Sequence, residues 1–365
     1  MDDLKNTLTC CSPKKSESET NCCNDKKFNK VSIGYPDVSN NKIPVISTKI
    51  AFKDKLDDLK VRWNFGRMNY SISPGLYAVG SPAEAPLVLV TANYKLTVNT
   101  LRKELEGLNV WLLILDTKGI NVWCAAGKGT FGTDELLNRI ELTGLINIVK
   151  NPVLILPQLG AAGVAAFTIS QKTGIKIIYG PVYARDIREF ISNGLKKKEN
   201  MKIINFNLKE RLEVIPVELT QTMPLVISIF IFSILTAFIQ TKALNIQVLF
   251  EFIPLIGSVI TGCILTPVFL PYIPFKSFAL KGAVTGLIWA VIIGIIFKFT
   301  FTHFIISTLL ITAISAYLSL NFTGASTFTS VTGAKFEVKI ALPFILFFLI
   351  LGVILKILLA FKIVL

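Results

Sequence analysis

Between about residue 51 and residue 215 the chain alternates short apolar runs with turn residues and amphipathic stretches. The runs PLVLVTA (86–92), VWLLILD (110–116), PVLILPQ (152–158) and IKIIYG (175–180) are apolar at successive positions, as strands buried on both faces are. Helical spacing fills the gaps: LTVNTLRKELEG (96–107), ended by Gly107, and GTDELLNRIEL (132–142), with Thr133 the expected N-cap and Asp134 and Glu135 in its first turn. The small-residue run LGAAGVAAFTISQKTG and then VYARDIREFISNG (182–194), capped by Gly194, complete the series. Strands alternating with helices predict an α/β domain built on a parallel sheet with helices on both faces. Ligands of such sheets sit beyond the carboxyl ends of the strands. That rule selects one rim: Thr91–Asn93, the 116–132 loop, Gln158–Gly163 and Gly180–Ala184.

After Pro216 the pattern changes. Apolar runs at 223–240, 248–270, 280–297, 299–320 and 341–361 each approach the ~20 residues that cross a bilayer. They predict an all-α transmembrane domain of about five helices over 216–365, the third and fourth runs joined by Lys298 alone. Asn321–Thr332, between the last two runs, reads as a plain loop rather than the lining of a path. Lys196–Lys198, Lys202, Lys209 and Arg211 precede the first run, which sets the α/β domain on the cytoplasmic side of a multi-pass inner-membrane protein. Five crossings then leave the C-terminus outside. Residues 1–50, rich in Lys, Asn, Ser and Asp and lacking apolar periodicity, read as a mobile tail.

Composition agrees with a membrane protein: 52% of residues are apolar, 17% are charged, and mean hydropathy is +0.58, whereas soluble domains are about 25% charged. The net charge of +14 is spread over both halves without a basic–aromatic stripe. Membrane topology and anionic lipid account for it better than nucleic acid does. The opening MDDLKNTLTCC lacks the apolar core of a signal peptide, so the first domain is not expected to be exported. Cysteines at 10, 11, 22, 23, 124 and 263 form no disulfide framework and suit a reducing compartment. The two Cys-Cys pairs lack a Cys-x-x-Cys zinc spacing, which favours an unstructured tail over a metal trap or redox tail.

Cys124, on the rim, is the candidate for chemistry. The one histidine, His303, lies in the fourth membrane run, so a Cys–His catalytic pair is excluded. The domain also has too few thiols for an iron–sulfur or four-cysteine zinc site. A plain buried structural cysteine remains open. The adjoining GKGTFG (127–132) fits G-x-G-x-x-G, but Gly127 comes eleven residues after Asp116 and the next strand ends without an acid. A dinucleotide site is therefore disfavoured. Its glycines instead suit close backbone approach to a bulky ligand or its phosphate.

The stretch NVWCAAGKGTFGTDEL (121–136) resembles the signature of the membrane-anchored corrinoid protein of microbial mercury methylation. That family is similar in turn to the corrinoid-binding domain of the acetyl-CoA pathway corrinoid iron–sulfur protein large subunit. VTANYKLT (90–97), LPQLGAAGVAA (156–166), GPVYARDI (180–187) and the hydrophobic tail carrying NFTGASTFTS (321–330) agree with it. The resemblance implies a Rossmann-like corrinoid-binding domain over 51–215 and a cobalamin-type corrinoid bound base-off. Asn121–Lys128 would form a short helix under the corrin, with Cys124 as the lower axial cobalt ligand. Asn121, Val122, Trp123, Ala125, Ala126, Gly127 and Lys128 would surround that sulfur, and Thr91, Asn93, Gly160 and Ala161 would line the corrin. It further implies methyl transfer from a methylated folate, or its methyltransferase, to Hg(II), and a ferredoxin-like iron–sulfur reductase as partner. A membrane-bound methyl carrier of the acetyl-CoA-pathway type with another acceptor, such as a metalloid, is the alternative. A tethered binding module or transporter without transfer chemistry is a third reading.

Overall fold

The computed structural model describes residues 32–34, 37–38, 41–83, 85–324 and 331–363. The cysteine pairs at 10, 11, 22 and 23 and the expected tail up to residue 31 lie outside the described residues, as do 325–330 of the expected loop before the last span. The chain divides into two units, one containing Met68–Lys202 with the residues up to Asp54, the other containing Lys55–Arg67 and the chain from Ile203. Unlike the expected boundary at 215, the division comes before the helix that precedes the first span.

The first unit carries a seven-stranded sheet in the order β1-β4-β5-β7-β6-β8-β9. Its strands are β1 (Ser32–Gly34), β4 (Val45–Ile46), β5 (Gly75–Val79), β6 (Leu87–Ala92), β7 (Val110–Leu115), β8 (Val153–Leu156) and β9 (Lys176–Tyr179); β2 (Asp37–Val38) and β3 (Asn41–Lys42) form a separate pair. The four predicted strands, β6 to β9, run parallel to one another, with Val88 opposite both Trp111 and Leu154. The sheet as a whole is mixed, because β5 runs antiparallel to β7 and β1 antiparallel to β4. Strands β1 and β4 fall within the stretch read as tail.

Strand alternation builds two cores. On one face Trp111, Leu113 and Leu115 of β7 pack with helices α3 (Val122–Lys128), α4 (Thr133–Thr143), α5 (Leu145–Ile148) and α6 (Ala166–Thr173). On the other, Val110, Leu112 and Ile114 pack with α2 (Lys95–Glu104) and α7 (Ile187–Ser192). The α2 face is further tied down by Asp54, near the start of α1 (Phe52–Arg62). Its carboxylate accepts from Lys95 Nζ at 2.8 Å and Arg102 Nη2 at 2.7 Å, all three side chains being at most 10% exposed. Arg102 also donates to the carbonyls of Ser47 and Lys49, which fixes the strand-to-helix connection.

In the second unit α8 (Leu208–Gln221) opens with a reciprocal cap between Asn207 and Glu210. Among the described residues five helices are long and apolar enough to cross a membrane, as predicted: α9 (Met223–Thr241), the continuous span Gln247–Val268, α12 (Phe278–Ile296), α13 (Phe301–Asn321) and α14 (Val331–Ala360). The second span comprises α10 (Gln247–Ile260), a π-helical turn at Thr261–Leu265 and α11 (Thr266–Val268). Lys298, at φ 50°, breaks the chain between α12 and α13 where the sequence places the division. Gly282 and Gly286 let α12 lie close to Ser315 and Ser319 of α13, as small residues do between membrane helices.

Candidate functional site

Beyond the carboxyl end of β7 the chain turns through Asp116–Ile120 and enters α3, a helix of seven residues. Asn121 starts it in extended backbone, its side-chain oxygen accepting the Cys124 amide at 2.9 Å. That bond satisfies one of the helix's orphan donors. Gly129, at φ 81°, ends it. Within these roughly two turns, Val122, Ala125 and Ala126 are buried while Cys124, Gly127 and Lys128 are exposed, with Asn121 and Trp123 half-buried. One face anchors the helix and the other presents a thiol. The plain reading of Cys124 as a buried core cysteine is thereby excluded.

The anchoring face is fitted closely. A Cβ on Gly163 would come within 2.2 Å of the Phe131 carbonyl oxygen and 3.0 Å of the Ala126 Cα. A Cβ on Gly160 would lie 2.5 Å from the fully buried Phe131 ring. The 158–163 segment can therefore lie this close to Phe131 and Ala126 only with glycine at 160 and 163. Ala126 lies in this contact, and Ala125 is fully buried beside it.

The approach loop hangs on Asn93. Its side-chain oxygen accepts from Thr117 N at 3.2 Å, Thr117 Oγ1 at 2.9 Å and Gly119 N at 3.0 Å, while its amide donates to Asp116 Oδ1 at 3.2 Å. Thr117 is fully buried and Asn93 is 5% exposed. Asp116 in turn pairs with Lys118 at 2.6 Å, and the Asp116 amide donates to Glu135, which Arg139 holds from the next turn of α4. Burial works to raise the Asp116 carboxyl, but the Lys118 hydrogen bond and charge outweigh it and hold the group below its ordinary range. The same contact raises Lys118. On the neighbouring segment Lys197 donates to Gln158 Oε1, and burial, then the charge of Lys202, lowers its ammonium.

The structure brings the predicted rim together as follows. Asn121, Val122, Trp123, Cys124, Ala125, Ala126, Gly127 and Lys128 form one element with its cap. Thr91, on β6, is 2% exposed and Gly160 is buried, whereas Ala161 is half-buried. The side chain of Asn93 is committed to the protein's own loop. Thr133 is the first residue of α4 rather than its cap; Gly132 takes the capping position, and the Thr133 hydroxyl accepts the Ala165 amide at 2.8 Å. The sequence places Gly163, Phe131 and Asp116 on the rim and Glu135 at a helix start, but not the close contact of Gly163 with Phe131 or the Asp116–Glu135–Arg139 network. Their roles depend on which segments meet, which no local pattern reports.

Residues 65–191 match the family model described as CO dehydrogenase/acetyl-CoA synthase delta subunit. Curated relatives include the acetyl-CoA decarbonylase/synthase complex subunit gamma of Methanocaldococcus jannaschii, 32% identical over 36% of this chain and 27% of that protein. The subunit of the same name from Methanopyrus kandleri is 32% identical over 33% of this chain and 26% of its own length, and that of Archaeoglobus fulgidus 30% identical over 36% and 28%. The chain thus spans about a quarter of the length of these relatives, and the likeness falls in its α/β domain.

Proposed function

We propose that the α/β domain holds a cobalamin-type corrinoid, base-off, with the Cys124 thiolate as lower axial ligand of cobalt, and that the protein is a corrinoid-dependent methyltransferase whose acceptor is Hg(II). The observation that carries this reading is the exposed thiol on a short helix whose other face is locked into the rim of the sheet. When bound, the corrinoid would supply the cobalt chemistry that takes up a methyl group and passes it on.

This chain's residues fit such a group. A thiol loses its proton on coordinating a cation, so Cys124 needs no histidine beside it. The Asn121 cap fixes the Cys124 amide and with it the direction of the side chain. Exposed Gly127 and Lys128 and half-buried Trp123 lie beside Cys124 on the same helix, and Ala161 belongs to the 158–163 segment packed against that helix. Gly160 keeps that segment low against Phe131, Asn93 holds the loop through its side chain, and Thr91 is buried on β6. A thiolate is also a strong donor, which would favour release of methyl toward an electrophile.

In this reading a methylated folate or its methyltransferase supplies the methyl group and a ferredoxin-like iron–sulfur partner supplies electrons. The domain faces the cytoplasm and the five spans sit in lipid. The names of the matched relatives favour a second reading, a membrane-bound methyl carrier of the acetyl-CoA-pathway type with another acceptor. Purified full-length protein, supplied anaerobically with reductant, methyl-folate donor and either Hg(II) or arsenite, separates the two. Methylmercury from wild type, lost in Cys124→Ala together with the thiolate signature in the corrinoid absorption, is the expected result. Undiminished methylmercury in that variant defeats the role of Cys124, and methylation of arsenite alone transfers the reading to the second acceptor class.

A further inference from the structure

The second unit contains a charged recess that methyl transfer in the α/β domain does not use. Glu251 of α10 and Lys356 of α14 pair at 2.6 Å, each side chain 5% exposed. Gln240, at the end of α9, donates to the other Glu251 oxygen at 3.1 Å and accepts from Gln247 at 3.3 Å. Beside the pair lies a cavity of ≈ 260 Å³, whose lining includes Lys298, Thr300 and His303 as well as Glu251 and Lys356.

A buried ion pair that served only to join helices would be enclosed by packing, since open space beside it gains nothing. Here the carboxylate is satisfied on both oxygens, and the surplus lies with the donors. Among the described residues Glu251 is the acceptor that Lys356 meets, which leaves two of the three ammonium N–H groups uncommitted. Lys298 adds a second cation and His303 an imidazole beside the Phe299 ring. The recess also lies at the N-terminus of α13, a helix of 21 residues, where Thr300 caps the His303 amide only at 3.5 Å. Unpaired amides there favour negative charge. Consecutive spans alternate in direction, so the ends of α9, α12 and α14 and the starts of α10 and α13 meet at one end of the bundle. That end is the level at which lipid headgroups lie. The volume corresponds to roughly nine waters at about 30 Å³ each, room for a phosphate group and its first substituent.

We propose that this recess binds a phosphate-type oxyanion, held by Lys356, Lys298, His303 and the first turn of α13. The proposal goes beyond the methyl-transfer reading and does not depend on it. The anion can arrive as free phosphate or as the headgroup of an anionic lipid, and one experiment distinguishes them. Full-length protein is placed in phosphatidylcholine nanodiscs with increasing inorganic phosphate, or in discs containing phosphatidylglycerol without phosphate, and its thermal unfolding is followed. A saturable rise in midpoint with inorganic phosphate assigns the site to a soluble anion; a rise only with phosphatidylglycerol assigns it to lipid. In either case Lys298→Ala and His303→Ala, at the helix ends, should weaken the response roughly tenfold, about 1.4 kcal/mol of binding. The double variant Glu251→Leu/Lys356→Met, which removes both buried charges together, should abolish it. No midpoint change with either probe, or variants that respond as wild type does, overturns the proposal.

Discussion

Asn93 makes four hydrogen bonds from one carboxamide, and all of them bind the loop that leads into α3. Replacing it with alanine leaves the buried Thr117 and Gly119 amides without an acceptor, while the Thr117 hydroxyl keeps the Ile120 carbonyl, at about 1–3 kcal/mol for each amide that finds no other partner. Asn93→Ala should therefore lower the unfolding midpoint and reduce corrinoid retention with Cys124 still present; full retention would show that the loop holds itself. Asp54 makes a different prediction. Burial pushes its carboxyl up, but the Lys95 hydrogen bond and charge, then Arg102, outweigh that and hold it below its ordinary value. A depressed carboxyl contributes stability that is complete above the unfolded value, about 3.9, and is lost as pH falls through the folded one. Asp54→Asn should cost about 3–5 kcal/mol at neutral pH, because Lys95 and Arg102 lose their buried counter-charge. It should also flatten the acid limb of the stability curve below about pH 4, and denaturant titrations at several pH values would test both effects. The position of Cys124 beyond the end of a parallel strand was legible in the sequence, because the apolar run 110–116 and the turn after it are local signals. Asn93 was legible as a rim residue but not as the hub of a loop, since its partners lie 23 to 26 positions away.

Helix α3 illustrates how an element too short to be stable alone is kept in place. A helix of seven residues cannot repay its nucleation cost in water. Its cap, the αL glycine behind it and the burial of Val122, Ala125 and Ala126 do so instead. The closest constraint is Gly163, where a methyl group would meet backbone on both sides and neither could rotate away. Gly163→Ala should destabilise the domain by about 1–3 kcal/mol and displace α3, weakening cofactor retention without touching the ligand. A variant as stable and as fully loaded as wild type would show that the contact is looser than the geometry states. The same physics explains which elements the sequence disclosed. The four parallel strands are continuous apolar runs followed by amphipathic helices, and both signals are local. Strand β5 is five residues long beside Pro74 and reads no differently from a loop. Its antiparallel pairing with β7 is a property of the sheet. Helix α8 carries Pro216 and Glu213, and the domain boundary expected from the sequence falls at that proline, dividing the helix between the α/β domain and the membrane domain.

Every residue assigned to the corrinoid, from Thr91 to Ala161, belongs to the first unit, and the charged recess of Glu251, Lys356 and His303 belongs to the second. The matched family segment ends at residue 191, before the first span begins. Two chemistries carried by separate units should respond separately to substitution. His303→Ala in the full-length protein should leave the corrinoid content, its absorption and its dependence on Cys124 unchanged, while shifting the response to phosphate or anionic lipid. Cys124→Ala should do the reverse. Histidine is the usual protein ligand for a metal and the chain has one, so the obvious rival is that His303 supplies a nitrogen to cobalt. That rival makes the opposite forecast: His303→Ala would lose or spectrally alter the cofactor, and Cys124→Ala would leave its coordination intact. Absorption and electron paramagnetic resonance spectra of the two variants, recorded on protein loaded with the same corrinoid, decide between a sulfur ligand from the rim of the sheet and a nitrogen ligand from a membrane helix.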